Sequence, residues 1–220
     1  GLYSYGAYDY SSDEVTFNSS IKETKSYKKG KLRNAKVNIG DKTKSFGYVT
    51  SFPYRDGNLY EVPLYRVTLT GTLLIEGISM KVKSEFKAFR FGVYMLDQND
   101  TPRMVGLQDE QSYNLTWDYI TTMDENAWRV TGGWFLHRGP EDPILQNFGS
   151  IGCVEICGKV NGVLEWDRFN NYVKWFTGSN SEAEISQNRL FQIHYDKVQK
   201  PALKKNCCKS VTCTPSCACP

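Results

Sequence analysis

From Leu59 onward the chain alternates apolar and polar positions with a period close to two. LYEVPLYRVTLTGTLLIEG, residues 59–77, is rich in Val, Leu, Tyr and Thr, which predicts a strand and a hairpin around Gly71. ISMKVKSEFKAFRFGVYML, residues 78–96, continues with apolar and basic positions in turn and predicts a further apolar strand over 91–96. DQNDTPR then reads as a turn. AWRVTGGWFLHRG predicts two short strands, Trp128–Val130 and Trp134–Leu136, joined at Thr131, Gly132 and Gly133. His137 falls at the end of the second. GCVEICG predicts another short strand beginning at Cys153.

The period then lengthens. WDRFNNYVKWF places Trp166, Phe169, Val173 and Trp175 or Phe176 at helical spacing, with Asp167 near its start, and predicts a short amphipathic helix. SEAEISQNRLFQIHY predicts a second helix or a passage from helix to strand. The expected architecture is mainly β, a single domain with a few short helices.

The flanks differ in character. Residues 1–58 scatter tyrosines among glycine and serine, then carry a dense set of lysines, and read as a polar, basic N-terminal arm. Residues 59–200 read as the folded domain, and 201–220 as a cysteine-rich tail. The 220 residues include 14 Tyr, 11 Phe and 5 Trp, enough for a core rich in β-structure, and the net charge of +3 is too small to point to nucleic acid. No apolar run reaches the length of a membrane-spanning helix.

Of the 7 cysteines, Cys153 and Cys157 lie together and the other five crowd CCKSVTCTPSCACP. An odd total leaves one thiol for a separate task. If that thiol is Cys153, six remain for three disulfides, which favours an extracytoplasmic location. The tail spacing fits a zinc site poorly, and no metal or other cofactor is expected.

Candidate chemistry gathers in HRGPEDPILQNFGSIGCVEICG, residues 137–158, which holds one of only 2 histidines. A cysteine nucleophile needs a base within reach, an acceptor to orient that base, and N–H donors for the oxyanion. Cys153 and His137 supply the first pair, a backbone carbonyl near Arg138 the orienting acceptor, and Gly139, Gly149 and Gly152 an open backbone. Ser150 adds a small polar group beside the thiol. Cys157 and His194 read as structural.

The order His137, Gly139, Ser150, Gly152, Cys153, with Val154 following, resembles the signature of L,D-transpeptidase catalytic domains. The run FKAFRFGVYML before them resembles the β-sandwich part of that family; the resemblance spans roughly 60–175, is strongest over 134–158, and implies a β-sandwich. It implies acyl transfer on peptidoglycan stem peptides, with Cys153 as nucleophile, His137 as general base, and the N–H groups of Gly152 and Cys153 as oxyanion donors. Arg138, Gly139, Glu155, Arg129 and Trp134 would line the substrate site. Two positions depart from the pattern: Ile151 stands where the family has histidine, and Glu155 where it has arginine. A glutamate cannot pair with a substrate carboxylate. Either Arg129, Arg138 or Arg168 supplies that cation, or the substrate is altered, or the usual reaction is lost. The alternatives to a transpeptidase or carboxypeptidase are an inactive wall-binding or structural module on the same fold, for which the lysine-rich arm would suit an anionic polymer, and an unrelated cysteine hydrolase.

Overall fold

The computed structural model describes residues 33–39, 49–50, 59–75, 78–94, 101–121, 124–142 and 150–206. These are mainly β, with two short helices. In chain order the strands are β1 (Arg33–Ile39), β2 (Val49–Thr50), β3 (Leu59–Glu61), β4 (Leu64–Ile75), β5 (Ile78–Phe89), β6 (Gly92–Tyr94), β7 (Arg103–Val105), β8 (Gln111–Asn114), β9 (Thr116–Ile120) and β10 (Glu125–Thr131). They continue as β11 (Trp134–Arg138), β12 (Val154–Cys157), β13 (Lys159–Val160), β14 (Val163–Leu164), β15 (Phe191–Tyr195) and β16 (Lys205–Asn206). The helices are α1 (Glu165–Thr177) and α2 (Glu182–Gln187).

Nine strands form one mixed sheet in the order β8-β15-β1-β4-β5-β12-β11-β10-β9. Its two parallel contacts are β1 with β15 and β11 with β12. The sheet is strongly curled. Trp128 on β10 and Phe191 on β15 lie six strand spacings apart in this order, about 29 Å if the sheet were flat. Their rings nevertheless meet edge to face at 5.0 Å. The two edge strands, β8 and β9, are joined only by Leu115, whose N–H donates to the Phe191 carbonyl.

Helix α1 fills the concave side. Trp166, Phe169, Tyr172, Val173 and Phe176 bury against Val67, Leu69, Phe86, Trp128, Leu136, Val154, Ile156 and Phe191. Each fully buried aromatic or aliphatic side chain here stabilises by roughly 1.5–3 kcal/mol. The helix begins at Glu165, whose N–H donates to the Gly158 carbonyl, so Asp167 sits within the first turn rather than at the cap. Gly178 ends it in the left-handed conformation. Ser181 caps α2 by accepting from the Glu184 N–H, and that helix passes directly towards β15.

A second apolar cluster covers part of the convex side. Tyr60, Val62, Leu64, Phe89, Phe91, Val93, Met104 and Cys157 pack there, which seats the small sheets β16-β3-β2 and β6-β7 on the large one. Arg90 is wholly buried beside this cluster. It donates to the carbonyls of Leu107 and Asp196 and lies over the rings of Phe91 and Tyr195. No helix of the described residues is long and apolar enough to cross a membrane.

Three sequence expectations change. The pairing of β4 with β5 runs on to Ile75 opposite Ile78, and Gly71 lies inside β4, paired with Val82. A Cβ at Gly71 would stand 2.9 Å from the Phe176 ring, so the glycine makes room for the helix. The stretch read as an arm contributes β1, which lies between β4 and β15 in the main sheet. The stretch read as a tail contributes β16, paired with β3. The remaining tail, 207–220, and most of the arm lie outside the described residues, as does the 91–96 strand beyond Tyr94.

Candidate active site

Alternation places the site on the convex side of β10, β11 and β12. Trp128, Leu136, Val154 and Ile156 point into the core, so their neighbours of opposite parity point outward. Glu125, Ala127 and Arg129 share that face with Phe135 and His137, and with Cys153, Glu155 and Cys157. The parallel register sets His137 opposite Glu155 and Leu136 opposite Val154. Cys153, just before β12, therefore stands beside Phe135, one diagonal step from the histidine.

His137 is buried, 4% exposed. Its Nδ1 donates to the Arg138 carbonyl at 2.8 Å, the orienting acceptor expected from the sequence. A carbonyl can only accept, so Nδ1 carries the hydrogen and Nε2 carries the lone pair. Burial pushes the imidazole down to about 4, against the raising effect of that hydrogen bond. The ring is neutral at pH 7.

The group facing Nε2 is Glu155, not Cys153. Its Oε1 lies 3.6 Å from Nε2, and its Oε2 is buried with no hydrogen-bond partner. Burial pushes this carboxyl up to about 8, opposed by the Ser150 hydroxyl and reinforced by the Glu125 charge. The Ser150 hydrogen goes to the Cys153 carbonyl at 2.7 Å, which leaves the carboxyl little relief. Glu125, which sequence reasoning did not single out, brings Oε1 to 3.8 Å from His137 Nδ1. Burial raises its carboxyl as well, and the Arg138 charge lowers it. A row of half-buried acid, buried imidazole and buried acid thus crosses three adjacent strands. Parity alone would have found Glu125, which shares the odd positions of its strand with Arg129.

Cys153 is a free thiol, half-buried. Its sulfur lies 3.9 Å from the Gly133 carbonyl. Burial pushes the thiol up to about 11, the Phe135 N–H facing the sulfur pulls it down, and the Glu155 charge pushes it up further. No hydrogen bond joins Cys153 to His137 among the described residues. The Gly152 N–H, expected as an oxyanion donor, donates to Ser150 Oγ at 2.9 Å. The Phe135 N–H is the amide turned towards the sulfur, a donor that only the strand pairing reveals.

The glycines earn their positions by close approach. Gly152 has φ +110 and the Trp134 ring occupies the space a Cβ would need. At Gly139 a Cβ would come within 2.7 Å of Cys157 Sγ and 2.9 Å of the Ile156 carbonyl. Gly149 lies outside the described residues. Cys157 is a buried free thiol in the convex cluster, consistent with a structural role. The five tail cysteines lie outside the described residues.

The candidate cations are separated. Arg129 shares the Cys153 face but pairs with Asp118 at 2.5 Å and lies over the Phe135 ring. Arg138 stands 3.5 Å from Glu141, which also binds Lys159. Arg168 pairs with Glu165 and covers Phe86 on the helix side, away from the thiol. Ile151 is exposed beside the site, at 46%. His194 is remote, on β15, with Nδ1 2.8 Å from Ser112 Oγ.

No protein-family model, no curated protein and no solved structure matches this chain.

Proposed function

We propose that the chain is a cysteine-dependent acyltransferase or hydrolase acting on peptidoglycan stem peptides, outside the cytoplasm, with Cys153 as nucleophile and His137 as base. The observation that carries this reading is the His137 tautomer. Its Nδ1 hydrogen is committed to the Arg138 carbonyl, so Nε2 is the nitrogen able to accept a proton. The choice of stem peptides rests on the motif of His137, Gly139, Ser150, Gly152 and Cys153.

Two observations favour a second reading, a binding module that no longer reacts. The Gly152 N–H is occupied by Ser150. In addition, moving the proton from a thiol near 11 to an imidazole near 4 is uphill by on the order of 10 kcal/mol at about 1.4 kcal/mol per pKa unit. A reactive resting thiolate is therefore not part of the first reading, and turnover requires a change in the charges around His137.

The test is mass spectrometry of purified muropeptides incubated with the wild type and with Cys153→Ala. Loss of D-alanine or new cross-linked dimers with the wild type alone supports acyl transfer and identifies the acceptor. Unchanged muropeptides from both proteins would favour the binding module.

A further inference from the structure

Glu155 occupies the position where the sequence pattern leads one to expect a cation, and its surroundings suit neither a cation nor an anion. The carboxyl is buried, 3% exposed. It faces an imidazole nitrogen that holds a lone pair, at 3.6 Å, and its other oxygen is unpartnered. A carboxylate opposed to a lone pair in a desolvated site is repulsive. One proton between the two satisfies both.

We propose that Glu155 is a positioning residue for His137: its acid form keeps its proton and aims that O–H at the Nε2 lone pair, and so withholds the base from Cys153 until that proton leaves. This role in catalysis rests on the acyl-transfer reading, whereas the proton pair itself does not. The groups that act on the pair are Glu125 from β10, Arg138 through Glu125, the Cys157 thiol on its own strand and the Cys153 thiol just before it, and the Ser150 hydroxyl. From β5 the residue opposite Glu155 is the apolar Phe89.

The steps balance as follows. The Glu155 O–H breaks and its proton goes to solvent, leaving a carboxylate beside His137. The Cys153 S–H then breaks, its proton forms a bond to Nε2, and the electron pair stays on sulfur. The imidazolium is held by the new carboxylate. Loss of one proton, from the acid, thus yields a thiolate.

The discriminating measurement is the pH profile of Cys153 alkylation by iodoacetamide in the wild type and in Glu155→Gln, located by peptide mass spectrometry. A glutamine amide also donates to Nε2, but it cannot ionise. The wild-type rate is expected to level off near pH 8, where Glu155 titrates. The variant rate is expected to keep rising past pH 9 and to be at least tenfold lower at pH 8.5. Superimposable profiles would overturn the proposal.

A second measurement on the wild type covers a variant that does not fold. Long-range 15N–1H correlation reads the state of each histidine nitrogen, and His194→Gln assigns the remaining signal among the 2 histidines. The proposal expects His137 to be neutral, with hydrogen on Nδ1 and a hydrogen-bonded lone pair on Nε2, changing near pH 8. A doubly protonated ring at pH 7 would overturn it. Neither measurement uses a muropeptide, so a failed turnover assay leaves both outcomes readable.

Discussion

Glu155→Gln also separates the two buried groups in equilibrium stability. In the wild type Glu155 is held near 8, against an ordinary value of 4.5. The folded state therefore keeps a proton that the unfolded state has lost across that interval. Stability from this group is full below pH 4.5 and falls through 8, at about 1.4 kcal/mol per pH unit. His137 runs the other way. It is held near 4 against 6.5, so the unfolded state carries the extra proton and stability rises from pH 4 to 6.5 with the same slope. Between 4.5 and 6.5 the two slopes cancel. From 6.5 to 8 Glu155 acts alone, and the wild type loses about 2 kcal/mol. In the glutamine variant the histidine acts alone: stability climbs by roughly 3 kcal/mol from pH 4 to 6.5 and is then level. Urea unfolding followed by tryptophan fluorescence at half-unit steps from pH 4 to 8.5 reads both curves. Other titrating groups are common to the two proteins and drop out of the difference. Parallel curves for wild type and variant would refute the assignment of a buried, protonated Glu155.

Gly71→Ala is expected to lower stability by about 1–3 kcal/mol, because its Cβ would meet the Phe176 ring at 2.9 Å in a filled core; thermal melting checks this. Ser150→Ala removes the acceptor of the Gly152 N–H and the donor to the Cys153 carbonyl. Its expected cost is about 1–3 kcal/mol by urea unfolding.

The mainly β character was legible because Val, Leu, Tyr and Thr alternate over long stretches, and α1 because its aromatics repeat at helical spacing. The hairpin of β10 and β11 was legible from its two glycines. What failed was local signal set against long-range packing. Gly71 reads as a turn only when the helix that needs its space is out of view. In β1, Ala35, Val37 and Ile39 alternate with Asn34, Lys36 and Asn38, but the surrounding lysines outweighed that period. The curl of the sheet was not legible at all, because it depends on Trp128 and Phe191 meeting from strands far apart in the sheet order. At the site, the orienting carbonyl of Arg138 was readable from the chain. The partner of Nε2 was not, because it depends on strand register.

That register also explains the glycine two residues after the histidine. The Gly139 N–H donates to the Ile156 carbonyl at 2.7 Å, continuing the pairing of β11 with β12. The absence of a Cβ lets Cys157 sulfur approach. Leu136, Val154 and Ile156 are buried on the other face, so a slip of one residue would expose all three. A slip of two would preserve the faces and set His137 directly opposite Cys153, but it would take Gly139 away from the one place that requires glycine. The chain is thus locked where His137 meets an acid first. The thiol stands about 8 Å away between Cα atoms, along one strand spacing and two residues. In the proposed acyl-transfer reading, the proton on Glu155, more than the separation of the strands, decides whether His137 can serve Cys153 over that diagonal.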